Sequence, residues 1–248
     1  YAIGAGGSRD EPTSLIPTGG YGLLRDPEAR VLRRGREMVQ VTPEITEFLR
    51  QAEPLIVAKA NVKARVHRHA YLDYIGIKRY DAHGRLVSEI RLLGLFTASA
   101  YTRSTHSIPY LRRKVGTIMA RAGFDPESHS GRALRNILES YPRDELFQVD
   151  LDTLLDFSLA ILELGERPRI RVLARRDKFD RFVSLLVYVP RDRYNTDTRL
   201  AIGNYLADAF DGRVSSVYPA FPEGPLARVH YIIGRDEGKT PRVERSTL

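Results

Sequence analysis

Apolar positions recur every second residue in the first part of the chain, shift to helical spacing after Tyr101, and then alternate between the two periods to the end. The clearest period-2 stretch is YLDYIGIKRYDAHGRLVSEIRLLGLFT, residues 71 to 97. Its outward run places Leu72, Tyr74 and Gly76 on one face and Ile75 and Ile77 on the other, which predicts a strand. Asp81-Ala82-His83-Gly84 predicts the turn, with Asp81 accepting a backbone bond and Gly84 supplying the positive φ that closes it. The return strand carries Leu86, Ile90, Leu92 and Phe96 on one face and Val87, Leu93 and Leu95 on the other. Both faces are too apolar for a solvated hairpin, so each is expected to be partly covered.

Upstream, residues 1 to 20 are rich in glycine and polar residues and predict a flexible segment. Short strands are expected at Tyr21 to Leu24 and at Val31-Leu32. A helix is expected to open at Thr42-Pro43-Glu44, with Thr42 as N-cap and Pro43 at the first helical position. Pro54 stops it, and Leu55 to Val66 is extended. After Tyr101, Leu111, Val115, Ile118 and Met119 mark a helix over 108–122 ended by Gly123, and Leu134, Ile137 and Leu138 mark another over 128–140 before Pro142.

The second half alternates more regularly. Glu145 to Val149 predicts a strand, Leu151 to Leu164 a helix ended by Gly165, Arg169 to Arg176 and Arg181 to Val189 strands, Tyr194 to Phe210 a helix, and Arg213 to Tyr218 and Ala227 to Ile233 strands. That order is βαββαβ plus one strand, the ferredoxin-like pattern of an antiparallel sheet with two helices on one face. The fold class expected is therefore α+β, an antiparallel sheet domain followed by a helical connector and a second sheet domain.

Length and composition change this picture little. The chain has 248 residues, no cysteine and a net charge of +8. Its size supports a core without staples. The lack of cysteine excludes disulfides, thiolate metal sites and a cysteine nucleophile. The longest apolar runs fall well short of the ~20 residues that cross a bilayer, no signal-peptide pattern opens the chain, and a cytoplasmic protein is expected. The start at Tyr1 reads as a piece of a longer polypeptide. The positive charge raises nucleic acid as a partner, but acidic residues interleave the arginines and a mixed-sign solvated surface accounts for it better.

Candidate chemistry is sparse. Gly4, Gly6 and Gly7 neither follow a strand nor open a helix, so they read as linker rather than a phosphate loop. His67 and His69 share one strand face and could chelate a metal with Asp73 or His83 nearby, but a polar strand face accounts for them more simply. Asp144, Glu145, Asp150 and Asp152 offer carboxylates for acid–base work, although Asp150 has a simpler role as N-cap of the helix that follows. Arg112-Arg113-Lys114 and Arg175-Arg176 read as surface charge or interdomain contacts. Phe182 and Tyr188 lie on strands where an RNA-binding sheet would place stacking aromatics, but RVLARRDKF and RFVSLLVYV do not fit that consensus. No catalytic, cofactor or metal site emerges, and a regulatory or assembly role is what the residues suggest.

Specific strings add a resemblance. LDYIGIKRYD, GLFTASAYTRS, IPYLRRKV, RAGFDPESHSGRALRNILESYPRDELFQ, FVSLLVYVPRDRYNT and PLARVHYII, in that order over roughly residues 20 to 235, closely resemble the large bacterial NAD-specific glutamate dehydrogenases. The chain is similar to the long region that precedes their catalytic domain, where ACT-like domains accompany a PAS-type domain. The resemblance implies a flexible segment at 1–20, a PAS-type domain at 21–102, a helical connector at 103–141, an ACT-like domain at 142–235 and a tail at 236–248. It implies a parent enzyme that oxidatively deaminates L-glutamate to 2-oxoglutarate and ammonia with NAD, while this segment holds no cofactor. The other domains of the parent chain and a homo-oligomer are the implied partners. An amino-acid effector, if bound, is expected at Gln148, Asp150 and Asp152, where helix N–H groups could receive its carboxylate. A stand-alone amino-acid-sensing or RNA-binding module is the alternative.

Overall fold

Strand β1 (Ile3–Gly4) pairs antiparallel with β2 (Ser14–Leu15), so part of the segment expected to be flexible forms a short ladder. The computed structural model describes residues 3–4, 14–15, 20–25, 53–66, 70–84, 86–235 and 240–243. The strand expected at Val31-Leu32, the helix expected from Thr42, and Gly6, Gly7, His67 and His69 lie outside them. The chain divides into two compact units, residues 1–97 and 98–248.

In the first unit, the segment expected as a strand at Tyr21 to Leu24 is instead a 3-10 helix, Gly22–Arg25. With no strand partner among the described residues, these four close local i to i+3 bonds, and the Leu24 N–H donates to the Tyr21 carbonyl at 3.1 Å. The main sheet is a meander of β3 (Leu55–Lys63), β4 (Tyr71–Tyr80) and β5 (Leu86–Gly94), antiparallel throughout. The hairpin turn forms as its residues predict. The His83 N–H donates to Asp81 Oδ1 at 2.9 Å, the Gly84 N–H donates to the Asp81 carbonyl at 3.0 Å, and Gly84 has φ +74°.

The two faces of this sheet differ. One buries Ile56, Ala58 and Ala60 of β3 with Tyr74 and Glu89. The Tyr74 hydroxyl donates to Glu89, and Arg91 donates from Nε and a terminal nitrogen to Glu89 Oε2 at 3.0 and 2.9 Å. Gly76 lies beneath this group, and a Cβ there would come 2.8 Å from Ile56 and press on the Glu89 carboxylate. The other face buries Val57 and Asp73 but leaves Ile77, Ile90 and Leu92 exposed, so both faces are partly covered, the second much less than the first.

The second unit opens with helices α1 (Ala98–Thr102), α2 (Pro109–Ala122) and α3 (His129–Ser140). Pro109 starts α2, Gly123 at φ +71° ends it, and Ser128 caps α3 by accepting from the Gly131 N–H at 3.0 Å. Glu145 to Val149 is not a strand. Residues Arg143–Gln148 form helix α4. Pro142 precedes its first turn, where a missing N–H costs nothing, and Asp144 and Glu145 complement that end. At the other end the Lys114 ammonium donates to the Leu146 and Phe147 carbonyls at 2.9 and 3.3 Å. A five-residue stretch has no period long enough to reveal this.

Helix α5 (Leu151–Glu166) runs through Gly165 and packs on α2 and α3. The sheet has four antiparallel strands in the order β6-β7-β9-β8, from β6 (Arg171–Arg176), β7 (Phe182–Pro190), β8 (Arg213–Ala220) and β9 (Leu226–Gly234). Helix α6 (Thr196–Ala209), capped by Asn195, covers one face. Leu206 and Phe210 pack there on Val183, Leu185, Val187, Val229, Tyr231 and Ile233. The other face, with Leu173, Arg175, Ser184, Leu186 and His230, meets α4 through Glu145. The observed order in this half is therefore ααββαββ in place of βαββαβ plus one strand, with α6 covering one face of the sheet and α4 meeting the other through Glu145.

Candidate functional site

The densest group of buried polar side chains lies where α4 meets the sheet. Glu145 projects from the first turn of α4 and Arg175 from β6, and both are almost fully buried. Their contact is a two-bond fork, with Arg175 Nε donating to Glu145 Oε2 and a terminal nitrogen to Oε1, each at 2.8 Å. A third guanidinium bond goes to the Arg176 carbonyl at 3.1 Å. Planar guanidinium and carboxylate groups match in this geometry, which sets orientation as well as attraction. Around the pair stand His230, with Nε2 3.9 Å from Glu145 and 2.8 Å from Ser184 Oγ, and the buried Tyr141 and Tyr188.

Burial by itself would push the Glu145 carboxyl up, but the charge and hydrogen bonds of Arg175 outweigh it and hold the group at about 2. Burial opposes the charge on Arg175 too, and Glu145 overrides it and raises that group. Burial lowers His230 from its ordinary value, so the ring is neutral at pH 7. Burial raises Tyr141 and pushes Tyr188 up to about 12.

A serine, a histidine and a glutamate in one cluster invite comparison with a hydrolytic triad, and the geometry rejects it. In a triad the acid orients the ring nitrogen opposite the one facing the nucleophile. Here Ser184 and Glu145 both approach Nε2. Ser184, His230 and Glu145 are also sealed from solvent, which leaves no place for a substrate. The arrangement is a joint, in which a charged helix residue is locked into a sheet.

The residues expected to bind an effector are not brought together. Asp150 is the N-cap of α5, and both of its carboxylate oxygens are engaged by Thr153, from N–H and hydroxyl, at 2.8 Å each. Asp152 points outward to Arg121 at 2.6 Å. Gln148 is buried at the end of α4 and donates to the Asp144 carbonyl at 2.9 Å. These residues flank a helix–helix corner, because the strand expected before α5 is a helix. Asp144 accepts from the Tyr101 hydroxyl at 2.9 Å, and Asp73 pairs with Lys59 at 2.5 Å and accepts from the Phe96 N–H. Of the basic clusters, Arg112 and Arg113 are exposed, whereas Lys114 and Arg175 are buried in the contacts above. Tyr188 is turned inward and offers no stacking surface. Sequence reasoning named Glu145 but missed Arg175 as its partner. The available signal was an arginine standing between Ala174 and Arg176 on a strand whose alternation places it opposite the α6 face.

Comparison with known proteins follows this division. Residues 108–167 match the family model "Glutamate dehydrogenase, helical motif 1", and residues 171–248 match "Glutamate dehydrogenase, ACT2 domain". The chain is 42% identical over 209 residues to an NAD-specific glutamate dehydrogenase of Pseudomonas aeruginosa, with 84% of this chain and 13% of that protein covered. This chain belongs to the NAD-specific glutamate dehydrogenase family. A relative from Halomonas elongata is 40% identical over 220 residues, covering 89% of this chain and 14% of its own length. One from Mycobacterium tuberculosis is 34% identical over 179 residues, covering 72% and 11%. The chain thus spans about 13% of the length of the glutamate dehydrogenases it matches. Within the family frame, the Glu145–Arg175 pair joins the helical motif to the ACT2 domain, since its two residues fall in different matched regions.

Proposed function

We propose that this chain is a non-catalytic regulatory and assembly segment of a cytoplasmic, homo-oligomeric NAD-dependent glutamate dehydrogenase, whose parent oxidatively deaminates L-glutamate to 2-oxoglutarate and ammonia. The observation that carries this reading is the sealed Glu145–Arg175 joint between helical motif and ACT2 sheet. A buried ion pair has no water to replace a lost partner, so a shift of the sheet carries α4 with it or breaks the pair at large cost. Such a contact transmits displacement and performs no bond chemistry. The three-stranded meander of the first unit supports the PAS-type reading of residues 21–102 in the same segment. An amino-acid effector at Gln148, Asp150 and Asp152 finds less support, because each Asp150 carboxylate oxygen already accepts a bond from Thr153 and Asp152 pairs with Arg121.

The test is the full-length dehydrogenase carrying Glu145→Met together with Arg175→Met. If the segment regulates and assembles, NADH formation by assembled enzyme persists, while oligomer mass by light scattering or the response to amino-acid effectors changes. Loss of the chemical step in an oligomer of normal mass, with NAD and glutamate still bound, would place catalytic groups in this segment and reject the reading.

A further inference from the structure

A second feature of the ACT2 sheet lies on its other face. A cavity of about 360 Å³ opens where the end of β6, the start of β7 and the last turn of α6 meet residues 240–243. Ala174, Val183, Phe210 and Val243 supply apolar lining, and Arg176 and Arg242 supply basic lining. Pro241 completes the described lining. Its volume lies in the range of small-molecule sites, which combine apolar lining with a few charged groups.

The wall made by residues 240–243 is anchored from both sides. Thr240 bonds Asp180 through its hydroxyl and its N–H, the latter at 3.2 Å, and Asp180 itself takes φ +52° in the turn that presents the carboxylate. Arg176 donates to the Pro241 carbonyl at 2.7 Å, which ties the strand end to the same segment. Val243 packs against the core that α6 covers. The described lining contains two guanidinium groups and no acid. An anion is favoured there, and an ammonium is opposed.

We propose that this cavity binds a small organic acid: a carboxylate held by Arg176 and Arg242, with an apolar body on Val183, Phe210 and Val243 and no α-ammonium group. The inference is independent of the coupling role of Glu145 and Arg175, because it concerns the opposite face of the sheet.

Hydrogen–deuterium exchange of the full-length dehydrogenase tests it with a local readout that substrate-site binding elsewhere does not move. The probes are 4-methylpentanoate, leucine as its ammonium-bearing counterpart, and inorganic phosphate. The acid is expected to slow exchange in peptides spanning 172–183 and 240–243, leucine and phosphate are not, and Arg242→Ala is expected to weaken the protection roughly tenfold, as loss of one charged hydrogen-bonding partner implies. Absence of protection by the acid, or equal protection in Arg242→Ala, overturns the site. Protection by leucine or by phosphate alone overturns the assigned ligand class.

Discussion

Among the described residues, each unit holds a buried glutamate paired with an arginine, and the two pairs are built in different ways. Glu89 meets Arg91 on the same strand and Tyr74 on the next, so the whole group lies within one meander. Glu145 reaches Arg175 from a helix 30 residues away and fastens two layers together. The first pair adjusts with the strand that carries both of its members. The second has no such freedom, and its loss uncouples elements that the backbone does not otherwise hold in register. A local buried pair shapes a sheet, whereas a distant one makes a joint.

The largest expected effect breaks the joint from one side. Glu145→Ala leaves Arg175 buried without its counter-ion, and a cost of about 3–5 kcal/mol is expected in urea unfolding of the second unit. Replacing both residues by methionine should recover most of that loss. A double variant as unstable as the single one would show that the pair is incidental to the layer contact.

A smaller effect is expected in the first unit. Gly76→Ala pushes a methyl group against Ile56 and the Glu89 carboxylate, and overpacking of this kind costs about 1–3 kcal/mol. Wild-type stability of the variant would mean that the Tyr74–Glu89–Arg91 group can move aside, which would sharpen the contrast with the rigid joint.

Acid titration separates the members of the joint. His230 is depressed below 6.5 in the fold, so the unfolded chain takes up a proton that the native chain refuses, and stability falls as pH drops below that value. Glu145 is held at about 2 against an ordinary 4.5, so its contribution is complete above 4.5 and is lost as pH falls from there toward about 2. Denaturation midpoints of the second unit should therefore begin to fall below pH 6.5, and His230→Gln should flatten that first step alone. An unchanged profile in the variant would assign the step to another group.

The smallest effect is expected on the open face of the meander. Leu92 is 52% exposed, and Leu92→Thr should change the stability of this chain by less than about 0.5 kcal/mol. A larger loss would reveal that this face is covered in solution.

Much of this was legible from short-range signals. The Asp81–Gly84 turn, the Gly123 end of α2 and the Asp150 cap each depend on chemistry within about four residues, and each forms as read, while the Ser128 and Asn195 caps, equally local, emerge from the structure. The expectations that failed needed distant partners. Tyr21 to Leu24 has no strand partner among the described residues, and Glu145 to Val149 became a helix whose end is closed by Lys114, 32 residues earlier than Leu146. The place of α5 on α2 and α3 could not be read from its own apolar stripe, because a stripe states that a face is buried and not what buries it.

The same limit applies to function. Sequence by itself determined the family, the period of most elements and the local caps, since all of these reside in consecutive residues. Only the tertiary structure decided that Glu145 is paired with Arg175, that Asp150 bonds Thr153, and that Arg176 and Arg242 share a cavity. Charge and hydrogen bonding act over a few ångströms of space, and the chain brings residues tens of positions apart within that reach only when it folds.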